Sequence, residues 1–326
     1  MRALLCPELG DIANLKVGDI ASPPMAADEV RIGVKASGVN FPDILMVEGK
    51  YQVKPSLPFV PGLEAAGEVL EVGADVGDHA KVGGRVMVFA RHGGSHAEEV
   101  VVQGGIVTPI PDAMDYVTAA AFPVVYGTAH FALDYRGNLK PGETLLVLGA
   151  AGGVGLAAVE VGKMMGARVI AAASSAEKLE QARLHGADDL VNYREGSLRD
   201  QVKALTGGKG VDVVFDPVGG DGFTQAVRCI GWEGRILVIG FASGDIPQVA
   251  ANMILVKNFS AVGVVFGEHS SRYPDDSRLR LGQLLEAWSG GALKPQVMKT
   301  YPLEEAGTAL SQIANRRVVG KLVLTV

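Results

Sequence analysis

The sequence predicts an α/β protein in which a doubly wound parallel sheet lies between an all-β N-terminal region and a mixed C-terminal tail. Three observations lead there. Residues 1–110 read as short alternating β segments parted by Pro and Gly turns. From Glu143 onward, short apolar strands alternate with helix-like stretches, the pattern of a buried parallel sheet. The first of these strands runs directly into a glycine-rich turn, Gly149-Ala150-Ala151-Gly152-Gly153-Val154-Gly155.

In chain order, residues 30–34 (Val-Arg-Ile-Gly-Val) and 67–72 (Gly-Glu-Val-Leu-Glu-Val) alternate as half-buried strands do, and 85–90 and 99–102 are also strand-like. Their regular spacing between turns such as Ser22-Pro23-Pro24 and Val60-Pro61-Gly62 suggests a barrel-like unit. The pattern changes near Asp115, and residues 119–133 read as one helix. Strands follow at 144–148, 168–172, 211–215 and 235–239, with helices at 155–165 and 176–185. After about residue 265 the pattern is mixed, and the chain ends in the strand-like Gly320-Lys321-Leu322-Val323-Leu324-Thr325-Val326.

Composition narrows the function classes. With 326 residues the chain has about twice the usual length of one domain. Hydrophobic residues form 48% and charged residues 20%, enough to fill a large core. The net charge of −6, with no long basic run, gives no attraction to nucleic acid or to anionic membranes. Cys6 and Cys229 are the only cysteines, so neither a disulfide framework nor a cysteine-rich zinc site is available. The first residues enter a strand-like pattern without a secretory signal, and no stretch reaches the ~18 apolar residues of a membrane span. A cytoplasmic location is expected.

The turn after strand 144–148 is a variant of the dinucleotide fingerprint, with Ala150 in the first glycine position, then Gly152 and Gly155. Small residues there let a pyrophosphate approach backbone N–H groups at a helix start, so Ala150, Gly152, Gly153, Val154 and Gly155 are candidate cofactor contacts. A turn that merely solves packing is the competing reading. The preceding buried strand and the following amphipathic helix favour the cofactor. The second strand ends Ala171-Ala172-Ala173-Ser174-Ser175, without the acid that would bind a free ribose 2′-hydroxyl. Ser174, Ser175 and Lys178 suit a 2′-phosphate instead, which points to NADPH. Against this stand Glu177, whose side chain can face solvent, and the plainer reading of Ser174 as a helix N-cap.

These residues resemble the medium-chain dehydrogenase/reductase superfamily, in its zinc-free quinone oxidoreductase (zeta-crystallin-like) branch. The resemblance covers nearly the whole chain. It rests on Ala36-Ser37-Gly38-Val39-Asn40-Phe41-Pro42-Asp43, on Pro61-Gly62-Leu63-Glu64-Ala65-Ala66-Gly67, on the glycine turn and on Gly186-Ala187-Asp188. It implies a Rossmann doubly wound sheet inserted in a GroES-like β-barrel catalytic domain. The expected division is 1–123 for the barrel, 124–264 for the dinucleotide-binding domain and 265–326 for a return that completes the barrel. Zinc-dependent members carry a ligand Cys where this chain has Asn40 and a ligand His where it has Leu63. Amide and alkyl groups do not replace thiolate and imidazole, so no catalytic metal is expected. His92 and His96 flank Gly93-Gly94-Ser95 in what reads as a loop, and both are expected in solvent.

The same resemblance places Asn40 toward the nicotinamide, Thr128 at its carboxamide, Tyr193 near the adenine and Arg316 at the 2′-phosphate. Arg317, next door, leaves that last position open by one. Gly240 and Phe241, after the strand 235–239, are further cofactor candidates, and Phe266-Gly267 would line the nicotinamide from a returning strand. Thr128 has a plainer alternative as a helix residue bonding a backbone carbonyl. Tyr51 matches a family active-site tyrosine, whereas Leu45 stands where some members have a second one; Tyr51 could equally only shape the pocket. The expected activity is hydride transfer from NADPH to a quinone or activated enone, with Tyr51, Asn40 or ordered water steadying an enolate oxygen. An enone or enoyl-thioester reductase is the enzymatic alternative. An NADPH-binding structural or RNA-associated, crystallin-like protein is the non-enzymatic one. A homodimer is expected by resemblance.

Overall fold

Long-range strand pairing explains how residues from both ends of the chain enter one sheet. The computed structural model describes residues 1–326 and divides into two compact units. One comprises Met1–Val124, Gly267–Ser289 and Pro295–Val326; the other comprises Val125–Phe266 and Gly290–Lys294. The first contributes β1 (Arg2–Leu5), β2 (Lys16–Asp19), β3 (Glu29–Val39), β4 (Glu64–Val72), β5 (Arg85–Phe89), β6 (Glu99–Gln103) and β7 (Val107–Pro109). The second contributes β8 (Thr144–Leu148), β9 (Arg168–Ala173), β10 (Asp189–Asn192), β11 (Val211–Asp216), β12 (Ile230–Val238) and β13 (Ser260–Gly263). The chain then returns to the first with β14 (Val297–Pro302) and β15 (Lys321–Thr325).

In the β-rich unit the sheet runs β14-β15-β3-β4-β5-β7, and β6 also pairs with β3. Strand β3 is long enough to serve several neighbours. Glu29–Gly33 pair with β6, Ala36–Val39 pair with the C-terminal β15, and β4 runs antiparallel alongside. Its sequence changes to match. Val30, Ile32 and Val34 alternate inward against Val69, Val86, Val88 and Val100, whereas Ala36, Ser37, Gly38 and Val39 are all buried. A Cβ on Gly38 would lie 2.3 Å from Ala120 O and 2.4 Å from Glu64 Oε1, so only glycine fits between them.

The other unit is a six-stranded parallel sheet in the order β10-β9-β8-β11-β12-β13. This is the classic doubly wound order, with the reversal between β8 and β11. Leu146, Ile170, Val214 and Ile236 are fully buried, which is why these strands read as continuous apolar runs.

Two expected elements differ. The single helix over 119–133 is instead a helix Tyr116–Ala120, a second helix Pro123–His130 and a π-helical turn Phe131–Arg136. Pro123 lacks an N–H and disfavours a helical residue before it, so the first helix stops and a new one starts there. Phe266-Gly267 do not form a returning strand; they open the helix Phe266–Arg272.

Candidate functional site

At the carboxyl ends of the parallel strands, backbone geometry builds an anion site. Gly149, directly after β8, takes φ +59°, so the tight turn falls there rather than at Ala150. Ala150 is buried and its N–H donates to Ala172 O at 3.1 Å; it braces the turn against β9 and has no donor left for a phosphate. The helix Gly153–Met164 begins two residues earlier than the sequence suggests, with Gly152 as its cap and no side chain capping it. Leu156 N–H is the first to bond back, to Gly152 O at 2.9 Å. The N–H groups of Gly153, Val154 and Gly155 thus lack intrahelical acceptors, at an end carrying about half a positive charge. Gly152 leaves space: a Cβ there would meet only Gly149 O, at 3.5 Å. Gly155 serves packing, since its Cβ would lie 2.3 Å from Gly149 O and 2.8 Å from Ala150 Cα. An anionic pyrophosphate fits this arrangement of donors and open space.

Neighbouring strand ends carry the other candidates of this unit. Ser175, not Ser174, caps the helix Ala176–Leu184, accepting Lys178 N–H at 3.3 Å. Ser174 and Lys178 are half-buried and Glu177 is exposed. Tyr193 follows β10, is exposed, and its N–H meets Ala173 O, beside Ser174, at 3.3 Å. Gly240 and Phe241 follow β12, where Gly240 N–H reaches Asp216 O at 3.4 Å and Phe241 packs on Gly219. Thr128 is half-buried in the helix Pro123–His130 and shows no bond to a backbone carbonyl. Its neighbour Gly127 admits the ring of Phe266, which a Cβ there would meet at 2.4 Å; Phe266 is a buried packing residue. Gly267 and Arg316 belong to the β-rich unit. Arg316 is exposed, in left-handed backbone (φ 56°) just after the helix Ala306–Ala314, and Arg317 is exposed as well.

The β-rich unit holds a second arrangement, made of buried side chains. Lys321 Nζ, on β15, lies 2.6 Å from Glu64 Oε1 on β4 and donates to Asn40 Oδ1 at 2.7 Å and to Val39 O at 2.8 Å. Asn40 Nδ2 donates to Glu64 Oε1 at 2.9 Å and to Gly38 O at 3.2 Å. Glu64 Oε2 accepts Val124 N–H at 2.8 Å. Asn40, Glu64 and Lys321 are 6%, 0% and 5% exposed, so the ion pair works without water between its charges. Both amide hydrogens of Asn40 are committed to the protein. Asn40 therefore shapes the site and is not the donor to an enolate oxygen that the sequence allowed. Tyr51 is half-buried. Burial pushes its phenol up, the Asp43 carboxylate adds to this, and the Arg91 guanidinium opposes it, so the group stays protonated at neutral pH.

The two histidines part company. His92 is exposed as expected, but His96 is fully buried. It lies in a stretch pinned under β1: its carbonyl accepts Leu4 N–H at 2.8 Å and Ala97 bridges Ala3. A Cβ on Gly62 would sit 2.6 Å from His96 Nδ1, so the glycine makes room for the ring.

Comparison with known proteins bears on both arrangements. Residues 26–112 match the alcohol dehydrogenase GroES-like domain, and residues 153–280 match the zinc-binding dehydrogenase family. A quinone oxidoreductase-like protein 2 homolog of Nematostella vectensis is 43% identical over 99% of this chain and 88% of its own length. The quinone oxidoreductase of Escherichia coli complexed with NADPH superposes with a TM-score of 0.94 at 29% identity, covering all of both chains. A mycobacterial protein complexed with NADPH gives 0.94 at 31% identity, again over both whole chains.

The chain belongs to the quinone oxidoreductase branch of the medium-chain dehydrogenase/reductase superfamily.

For this quinone oxidoreductase relative, the side chains at the two positions where zinc enzymes hold their ligands are now placed. Asn40 is locked into the Lys321–Glu64 pair, and Leu63 is a buried alkyl group. No group of three or more His, Cys, Asp or Glu side chains is arranged to hold a metal ion. Sequence reasoning missed Lys321, Glu64, Asp43 and His96 as partners. A signal was present: Glu64 and Lys321 each open a strand whose next residues, Ala65-Ala66 and Leu322-Val323-Leu324, are apolar and buried.

Proposed function

We propose that this protein is an NADPH-dependent oxidoreductase that reduces a quinone or a carbonyl-activated double bond without a catalytic metal. The observation that carries the reading is the uncapped start of the helix Gly153–Met164, where three N–H donors lack intrahelical acceptors and Gly152 leaves space beside them. Gly152, Gly153, Val154 and Gly155 would hold the pyrophosphate. Ser174, Ser175 and Lys178 would meet the 2′-phosphate, because β9 ends without a carboxylate that repels it. Tyr193, Gly240 and Phe241 would line the remaining strand ends. NADPH supplies the hydride when bound. Support for metal-free chemistry comes from the amide and alkyl groups at positions 40 and 63, which favours acceptors that need no Lewis acid.

Reduction of a quinone by hydride also consumes one proton. Tyr51 is the group this reading assigns to that task, a phenol kept protonated by burial and by Asp43. The same property suits an enone, whose α carbon needs a proton after hydride reaches the β carbon, so the enone or enoyl-thioester reading stands beside the quinone one. Thr128, with no hydrogen bond to a carbonyl of its own helix, would position the carboxamide. A homodimer is part of the proposal. Strand β13 ends the sheet with one edge unpaired, and Leu255, Val256 and Val265 around it in sequence are exposed. None of the helices is long and apolar enough to cross a membrane.

The decisive experiment is stopped-flow oxidation of NADPH against quinones, enones and an enoyl-CoA, with sedimentation of the same preparation. Turnover of quinones at twice the chain mass is expected. A strong preference for enoyl-CoA would transfer the assignment to the thioester reading, and no binding of either pyridine nucleotide would end both.

A further inference from the structure

Two buried carboxylates meet in the β-rich unit, and only one has a lysine. Glu64 is paired with Lys321 and also accepts Asn40 Nδ2 and Val124 N–H. Asp43, fully buried at the start of the helix Phe41–Val47, has less. Its Oδ2 accepts Asn40 N–H at 2.7 Å, and its Oδ1 has no partner. The one group within ion-pair distance is His96, whose Nε2 lies 3.5 Å from Asp43 Oδ2 and is otherwise unpartnered. Burying a carboxylate with a single hydrogen bond and no counter-charge is strongly unfavourable.

The other side of the imidazole decides how many protons it holds. Ser37 Oγ lies 2.9 Å from Glu64 O and 2.8 Å from His96 Nδ1. A carbonyl oxygen only accepts, so the single hydroxyl hydrogen goes to Glu64 O. Ser37 Oγ must then accept from Nδ1, which carries a hydrogen. With Nδ1 protonated, a neutral ring would aim the Nε2 lone pair at the Asp43 carboxylate, acceptor against acceptor, with no water-exposed route for relief. One further proton, on Nε2 or on Asp43, turns that repulsion into a hydrogen bond and cancels the buried charge.

We propose that Asp43 and His96 share one proton at neutral pH and act together as a positioning dyad. The pair holds the backbone of Asn40 through Asp43 Oδ2, and Asn40 in turn orients Lys321 and Glu64. It also sets the field that Asp43 exerts on Tyr51. The charged and titratable groups around the dyad are Glu64 on β4, Lys321 on β15, Tyr51 after the helix Phe41–Val47, and Arg91 after β5. Lys321 is spent on Glu64, and Arg91 pairs with Glu268 at 2.7 Å, so neither substitutes for the imidazole. The dyad stands apart from the identity of the acceptor. The space beside Gly62, in the motif where zinc relatives carry their ligand His, is thus filled by an imidazole from residue 96.

Neutron diffraction of the unmodified protein near neutral pH counts the protons directly. A deuteron on Nδ1 and a second one between Nε2 and Asp43 is the expected result. A bare Nε2 facing an unprotonated Asp43 would overturn the proposal, whatever the enzyme reduces. A functional measurement separates positioning by charge from packing. In His96→Gln the buried Asp43 carboxylate loses the one group within ion-pair distance, and kcat with the best acceptor falls severalfold. Asp43→Asn combined with His96→Gln leaves no buried carboxylate to neutralise and recovers most of that loss. A double variant no faster than His96→Gln also rejects the dyad.

Discussion

At the start of the helix Gly153–Met164 the chain offers partial charges from its own backbone, whereas around Asn40 it offers full charges from side chains distant in sequence. The first arrangement needs no ionised residue. Three N–H groups and a few missing Cβ atoms create it, and it waits for an anion from outside. The second is already neutralised: Lys321 answers Glu64, and His96 faces Asp43. An open site built from backbone and a closed site built from ion pairs respond differently to mutation. The open site loses ligand before it loses fold; the closed one loses fold first.

Lys321→Met tests the closed side and carries the largest expected effect. It leaves Glu64 buried with hydrogen bonds but no cation, and breaking such a pair costs about 3–5 kcal/mol. Urea unfolding should show that loss. Adding Glu64→Leu to the same chain should return most of it, because removing both charges removes the desolvation problem. If the double variant is no more stable than Lys321→Met alone, the pair is not what holds this part of the sheet.

The same contrast explains what could be read in advance. The parallel sheet was legible because β8 and β9, buried along nearly their whole length, read as almost continuous apolar runs, and because the turn at Gly149–Gly155 joins strand to helix in a few consecutive residues. Even there the special φ falls on Gly149 and not on the next residue, since spacing alone does not say where a chain turns. The closed site was illegible because its members, Ser37, Asn40, Asp43, Glu64, His96 and Lys321, are scattered over nearly the full length. They meet through β3 pairing with β4 and with the C-terminal β15, and, for His96, through the bridge of Ala97 to Ala3. His96 reads as a loop histidine from its glycine neighbours, yet the bridge at Ala97 and the notch at Gly62 bury it. Pro123 marks the break between the two helices in the sequence itself, because it lacks an N–H and disfavours a helical residue before it.

Lys178→Ala sharpens the open side. If Lys178 meets the 2′-phosphate, the variant should lose about 1.5–3 kcal/mol of NADPH binding by calorimetry and little NADH binding. Its thermal stability should stay near that of the unmodified protein, since the helix Ala176–Leu184 keeps its Ser175 cap. Equal losses for both cofactors would take the residue out of the phosphate site.

The parallel-sheet unit also contains one closed site of its own, which tests whether the contrast follows burial rather than which unit is concerned. Glu160 accepts from Tyr126 Oη at 2.6 Å, from His185 Nδ1 at 2.6 Å and from Lys294 N–H at 3.0 Å. Burial pushes the Tyr126 phenol far up, and the Glu160 carboxylate and its hydrogen bond push the same way. In the unfolded chain a tyrosine ionises near ~10. Below that pH neither state ionises, and the contribution of Tyr126 is constant. Above it the unfolded chain releases a proton that the folded one keeps, so stability falls as pH rises, by about 1.4 kcal/mol per unit. Tyr126→Phe removes this proton from the balance. Its stability at neutral pH should drop by the lost hydrogen bond, yet its decline between pH ~10 and ~11 should be shallower by that same slope. Parallel alkaline declines for the two proteins would mean that Tyr126 ionises as freely in the fold as outside it, and that a closed site is set by something other than burial.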